Sequence, residues 1–127
     1  MADTPQSATP AWQVVDSADA LSTALAQAPA ALVLWGGAHC GVCQAIKPQL
    51  QAMAAQHFAQ LPLYYVDCAN APDACAQRGV FTLPVLRLYV QGKLALDYAR
   101  VFSLQQVQAE VQRQWQLLQT LQPLQNP

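Results

Sequence analysis

The sequence predicts an α/β domain with a mixed central sheet, which starts parallel, closes with an antiparallel hairpin and carries helices on both faces. Three observations carry this expectation. Strand-type and helix-type hydrophobic patterns alternate from Trp12 to about residue 78. Such alternation implies parallel strands joined by right-handed crossovers. Ala30 to Leu34 is a continuous apolar run, which suits a strand covered on both faces. Finally, two strand patterns meet at Gln91-Gly92, a dipeptide suited to a tight turn.

Each element follows from local chemistry. Trp12 to Val15 reads as a short strand. Asp16 or Ser17 then offers an N-cap to a segment whose Ala18, Leu21, Leu25 and Ala28 recur at three- and four-residue steps, the period of an amphipathic helix. Pro29 ends that helix and the strand Ala30–Leu34 follows, with a loop over Gly36–His39. From Cys40 to about Phe58 the pattern is helical, with Ile46, Leu50 and Met53 on one face and Pro48 inside, where a kink is expected. Leu61 to Val66 is the next strand, closed by Asp67, and a short helix is expected over 70–78 with Asn70 as its cap. The strands Val85–Val90 and Lys93–Tyr98 form the hairpin. Ser103 then caps a last helix with Val107, Val111, Trp115 and Leu118 facing inward.

The 127 residues make one domain, expected over 12–121, with a loose tail at 1–11 and a frayed one at 122–127. With 54% hydrophobic residues the chain is too apolar to be disordered. No apolar run approaches the roughly 18 residues of a membrane span, so no membrane partner is expected. Six basic against seven acidic residues leave no excess positive charge for nucleic acid. The polar surface rests largely on 19 glutamines. The first residues carry neither a basic nor an apolar signal region, so a cytoplasmic, reducing setting is expected. There, cysteines are more often catalytic, redox-sensing or metal-binding than structural.

Cys40-Gly41-Val42-Cys43 is a C-x-x-C set directly after a buried strand and at the start of a helix. Unpaired N–H groups and the partial positive charge at a helix N-terminus favour a thiolate over a thiol. The first cysteine is then the attacking group, and the second, one turn deeper, the resolving one. A zinc site would need a second ligand pair. Cys68 and Cys75 are spaced unlike a knuckle and the two histidines do not form an H-x₃₋₅-H pair, so no metal is expected.

In these residues the chain resembles the thioredoxin family. The matching positions are the C-x-x-C, Pro48 five residues after it, Asp67 ending the next strand, Gly79-Val80 before Leu83-Pro84-Val85, and Gly92 in the last hairpin. The resemblance spans about residues 12 to 118 and implies the thioredoxin fold. It implies a cis bond at Leu83-Pro84 beside Cys40, with Leu83 and Pro84 binding an extended substrate peptide. Trp35 is read mainly as core, like Trp115, and also as a candidate for that substrate-binding side. His39, Gly41, Val42 and Arg100 are candidates for tuning the site. His39 would act as a cation beside the thiolate, and His57 reads as a solvated residue.

The chain departs from the family pattern at several places. His39 stands where a tryptophan is usual and Val42 where a proline is. Leu34 or Val33 takes the place of a buried aspartate, and Leu63 that of its lysine partner. Arg100 replaces a glycine after the last strand. Proton transfer at Cys43 is therefore expected to use water or His39. Some relatives carry a second cysteine pair like Cys68/Cys75. A regulatory disulfide, a structural one and two buried thiols all remain open.

The function expected is thiol–disulfide exchange on protein disulfides through a Cys40/Cys43 dithiol, by a monomer without a bound cofactor. Electrons would come from a thioredoxin-reductase-like or glutathione-type donor. The alternative is a thioredoxin-like binding or assembly module in which redox chemistry is incidental.

Overall fold

In the computed structural model, which describes residues 11–121, nine elements follow in order. They are β1 (Trp12–Val14), α1 (Ala18–Gln27), β2 (Ala30–Gly36), α2 (Gly41–His57), β3 (Leu63–Asp67), α3 (Pro72–Gln77), β4 (Val85–Val90), β5 (Lys93–Ala99) and α4 (Leu104–Leu121). The tails expected at 1–11 and 122–127 lie, Ala11 apart, outside the described residues.

The strands form one sheet in the order β1-β3-β2-β4-β5. β3 runs parallel to both β1 and β2, while β4 is antiparallel to β2 and to β5. β2 is central and buried along its whole length, as its apolar run requires. Alternate residues serve opposite faces. Leu32, Leu34, Leu63, Tyr65, Leu86 and Leu88 pack under α2 and α4. Ala31, Val33, Trp35, Val66, Val85 and Tyr89 pack under α1 and α3. Each fully buried leucine contributes roughly 2 kcal/mol of transfer free energy.

The caps are local and specific. Ser17 Oγ accepts from Ala20 N at 3.0 Å, and Ser103 Oγ from Gln106 N at 3.2 Å. Gln91 and Gly92 both have positive φ, 54° and 79°, which closes the hairpin in the primed turn geometry that matches strand twist. Gly79, at φ 71°, follows the end of α3. Its N–H bonds Ala76 O and that of Val80 bonds Cys75 O, a Schellman pair that glycine permits. Tyr98 of β5 donates to Glu110 of α4. The phenol holds that carboxyl below its usual range, so the bond's stabilisation is present above about pH 4.5 and is lost as pH falls through the depressed value.

Several boundaries differ from the sequence expectation: β1 ends at Val14, β3 spans Leu63–Asp67 rather than Leu61–Val66, and β5 runs on to Ala99. β2 continues through Trp35 and Gly36, because both pair with β3 at Val66 and Asp67. Asn70 does not cap α3. The N-cap position is Ala71, with no side-chain bond, and Pro72 starts the helix with its fixed φ. Asn70 instead donates to Asp67 Oδ2 at 3.3 Å, while Asp67 Oδ1 takes Ala69 N at 2.9 Å. The carboxylate organises the turn and draws the Asn70 amide back onto it, away from the first turn of α3.

Candidate functional site

β2 ends at Gly36 in the middle of the sheet, and the turn at 37–40 leads into α2. Cys40 is the N-cap of α2, and its Sγ accepts from Cys43 N at 3.2 Å. Cys40 and Cys43 are joined as a disulfide with Cα atoms 5.2 Å apart. Their burial differs sharply. Cys40 is partly exposed, whereas Cys43 is fully buried. Gly41 and Val42 between them face solvent, Val42 at 56% exposure.

A shallow cleft of about 330 Å³ opens beside Cys40, lined by Gly37, Ala38, His39, Cys40, Ala69 and Leu83. His39 is exposed on its rim. The Leu83-Pro84 bond is cis, as the resemblance implied. Leu83 lines the cleft together with Gly37, while Pro84 is buried. A larger groove of about 400 Å³, at the other end of α2 by His57 and Trp115, holds no paired cysteines. Among the described residues no group of three or more His, Cys, Asp or Glu is placed to hold a metal ion.

Arg100 is bonded to the segment that carries Thr82 and Pro84. Its N–H bonds Pro84 O at 2.7 Å and its Nε bonds Thr82 Oγ1 at 3.3 Å. Its φ of 66° is the left-handed conformation that glycine adopts freely, so the fold keeps the geometry of the family's glycine and strains an arginine into it. That conformation costs roughly 1–2 kcal/mol, partly offset by glycine's larger loss of chain entropy. Arg100→Gly is therefore expected to stabilise the protein by about 0.5–1 kcal/mol, seen as a higher urea midpoint at unchanged slope.

Trp35 corrects its second sequence reading. It is fully exposed to neither solvent nor cleft: its side chain has 0% exposure, under α1 and α3 with the Arg87 guanidinium 5.1 Å from the ring. Its position on β2 points it to the face away from α2, so it packs the core and is not among the residues that line the cleft. Its indole N–H is buried without a partner. Cys68 and Cys75, left open above, are bonded, with Cα atoms 5.8 Å apart. Cys68 N also bonds Gly36 O at 2.9 Å, which ties this second disulfide to the end of β2.

The residue that sequence reasoning missed is Tyr65. It pairs with Leu34 in the β2–β3 register and is directed to the same face. Gly36, two residues on, opens the space its ring needs. A Cβ at Gly36 would lie 2.9 Å from Tyr65 Oη and 3.0 Å from Cys43 Cβ. The phenol thus fills the floor of the site next to the buried cysteine. Gln44 Nε2 donates to Gly37 O at 3.0 Å and reaches Tyr65 Oη at 3.5 Å. Burial, and after it the Asp67 charge, pushes the phenol above its usual range, against the lowering effect of Gln44. The available signal was the pair itself, a glycine ending the central strand and a tyrosine two residues before Asp67.

The thioredoxin family model matches residues 13–113. The chain belongs to the thioredoxin family. Among similar proteins, Thioredoxin-like protein YdfQ of Bacillus subtilis is 31% identical over 78 residues, 61% of this chain and 69% of that one. Thioredoxin 1 of Chlorobaculum tepidum is 32% identical over 72 residues, 57% and 71% of the two chains. In the fold, thioredoxin from Trypanosoma brucei brucei superposes with a TM-score of 0.74 at 16% identity, covering 85% of this chain and 94% of that one. A thioredoxin domain with a close cysteine pair at the start of α2 is a thiol–disulfide oxidoreductase. No helix among the described residues is long and apolar enough to cross a membrane.

Proposed function

We propose that this oxidoreductase acts on protein disulfides, with Cys40 as the attacking and Cys43 as the resolving sulfur. The observation that carries the assignment is the difference in burial between two sulfurs on one helical turn, with the exposed one at the helix N-terminus. The N-terminal N–H groups favour the Cys40 thiolate, and an imidazolium at His39 beside it acts in the same direction. Arg100 adds positive charge near Thr82 and Pro84.

In the reductive direction, the Cys40 thiolate attacks one sulfur of the partner disulfide. A mixed disulfide forms, and the first partner thiolate leaves with the electron pair and takes a proton from water. Cys43, deprotonated, then attacks Cys40 Sγ, and the second partner thiolate leaves. Two electrons pass to the partner, and Cys40–Cys43 ends as the disulfide. A thioredoxin-reductase-like enzyme or a glutathione-type thiol returns the electrons. A cytoplasmic monomer fits this cycle.

Solvent-facing apolar side chains lie close along the chain to residues of the site. Val42, Phe81 and Val101 are 56%, 83% and 90% exposed, on the motif itself and on the segments flanking Leu83-Pro84 and Arg100. Such residues suit an extended peptide against Leu83 better than a small polar thiol.

Insulin-disulfide reduction tests the reading. The wild type should turn over. Cys43→Ser should stop after one attack and accumulate disulfide-linked partners, because attack remains and resolution is lost. A wild type that reduces no protein disulfide, although Cys40 alkylates readily, would leave a peptide-binding module in its place.

A further inference from the structure

We infer that the Tyr65 hydroxyl donates a hydrogen bond to the Cys43 thiolate and so supports the resolving step in a site without a buried acid. The inference deepens the exchange mechanism and rests on it. Resolution demands an anion in an awkward place. Cys43 is fully buried, and among the described residues no acidic or basic side chain is fully buried with it. Leu34 and Leu63 fill the places of the family's acid and lysine, both at 0% exposure. A thiolate formed there without a donor would carry the full cost of desolvation.

Tyr65 is placed to supply that donor. Its Oη and Cys43 Cβ both lie within 3.0 Å of the single point where a Cβ on Gly36 would sit. The ring is held from two sides. Lys47 Nζ lies 3.8 Å from its centroid, and Trp12 meets it edge-on at 6.4 Å. Trp12 is itself held by a 3.0 Å bond from its Nε1 to Lys47 O. Gln44 approaches Oη as a donor, so the phenol oxygen is an acceptor in that contact and its own hydrogen stays available. Burial keeps the phenol protonated, which suits a donor and not a base.

The step balances without ionising Tyr65. The Cys43 proton goes to water, and the Cys43–Cys40 bond forms as the Cys40–partner bond breaks. The departing partner thiolate takes a proton back from water. A bond to a thiolate is charge-assisted and stronger than one to a thiol or a disulfide sulfur. It therefore lowers the cost of ionising Cys43.

The test is Tyr65→Phe, which keeps the ring and removes only the hydroxyl. Reduced protein is mixed with 5,5′-dithiobis(2-nitrobenzoate). Cys40 attack releases one nitrothiolate, and Cys43 attack on the Cys40 adduct releases a second, in a unimolecular phase followed against pH. The variant should shift the midpoint of that phase upward by about one pH unit. Below the midpoint the thiolate fraction drops tenfold, but each thiolate attacks about threefold faster, because nucleophilicity follows basicity with a slope of about 0.4–0.5. The net result is a slowing of roughly threefold at neutral pH and an acceleration of roughly threefold above both midpoints, so the two profiles cross. A mere loss of packing would slow the phase at every pH. Wild-type and variant profiles that superimpose would overturn the role of Tyr65 while leaving the exchange mechanism standing. A wild type that releases only one nitrothiolate would overturn the exchange mechanism, and this inference with it.

Discussion

Cys40→Ser is expected to lose insulin-reducing turnover by roughly a thousandfold or more, the largest effect of any single change at the site. A serine hydroxyl is almost wholly protonated at neutral pH and does not displace a thiolate from a disulfide. The loss will not come from unfolding. Cys40 is partly exposed, and its structural duty is to cap α2 by accepting from Cys43 N. Serine is among the best residues for that duty, so the capped helix should be at least as stable as in the reduced wild type. Activity and a urea midpoint measured side by side check both halves. Retained turnover would move the attacking role away from Cys40. A collapsed midpoint, in a variant that keeps the cap, would assign the lost turnover to unfolding and not to the missing nucleophile.

The parts of this protein that could be read from sequence are those set by local chemistry. The apolar run of β2, the helical spacing of α4, the Gln91-Gly92 turn and the C-x-x-C at a strand–helix junction each declare themselves within a few residues. What escaped depends on competition between nearby partners, on the direction of a side chain, or on residues distant in sequence. Asn70 looked like a cap because it precedes a helix, yet Asp67 had a better geometric claim on the same turn. Trp35 lies five residues from Cys40, but the alternation of a strand directs it to the opposite face of the sheet. Tyr65 becomes part of the site only through the β2–β3 register, which sets it beside Leu34 and lets it use the space left at Gly36. Position 34 holds leucine where the family usually has a carboxylate, which leaves only His39 or water in view from the local sequence. The polar group under Cys43 comes from the neighbouring strand. Arg100 shows the converse. The residue type departs from the family's glycine while the backbone holds the left-handed conformation that glycine would favour.

Leu34→Asp would restore an acid to the position where the family usually keeps one, and it is expected to destabilise this protein by about 3–5 kcal/mol at pH 7. Leu34 has 0% exposure, with Tyr65 beside it on β3 and Leu86 beside it on β4. The change removes a buried aliphatic side chain and places a carboxylate among apolar neighbours, with Leu63 where a lysine partner would be needed. The two costs separate with pH. Burial raises the folded-state pKa of the new aspartate above its unfolded value of about 3.9. Below that unfolded value both states are protonated, and only the loss of packing remains. As pH rises through the window between the two values, the unfolded state ionises while the folded state does not, so stability falls by up to about 1.4 kcal/mol per pH unit. It levels off above the raised folded value. Leu34→Asn, polar but unable to ionise, should show the packing and polar-burial cost with no such slope. Urea unfolding of both variants from pH 4 to pH 8, each referred to wild type, reads the difference directly. A Leu34→Asp deficit that is flat across this range would mean the carboxylate reaches water or a cation. The floor of the site would then be open enough to hold the family's acid, and the reliance on Tyr65 would have to be explained by something other than the exclusion of charge.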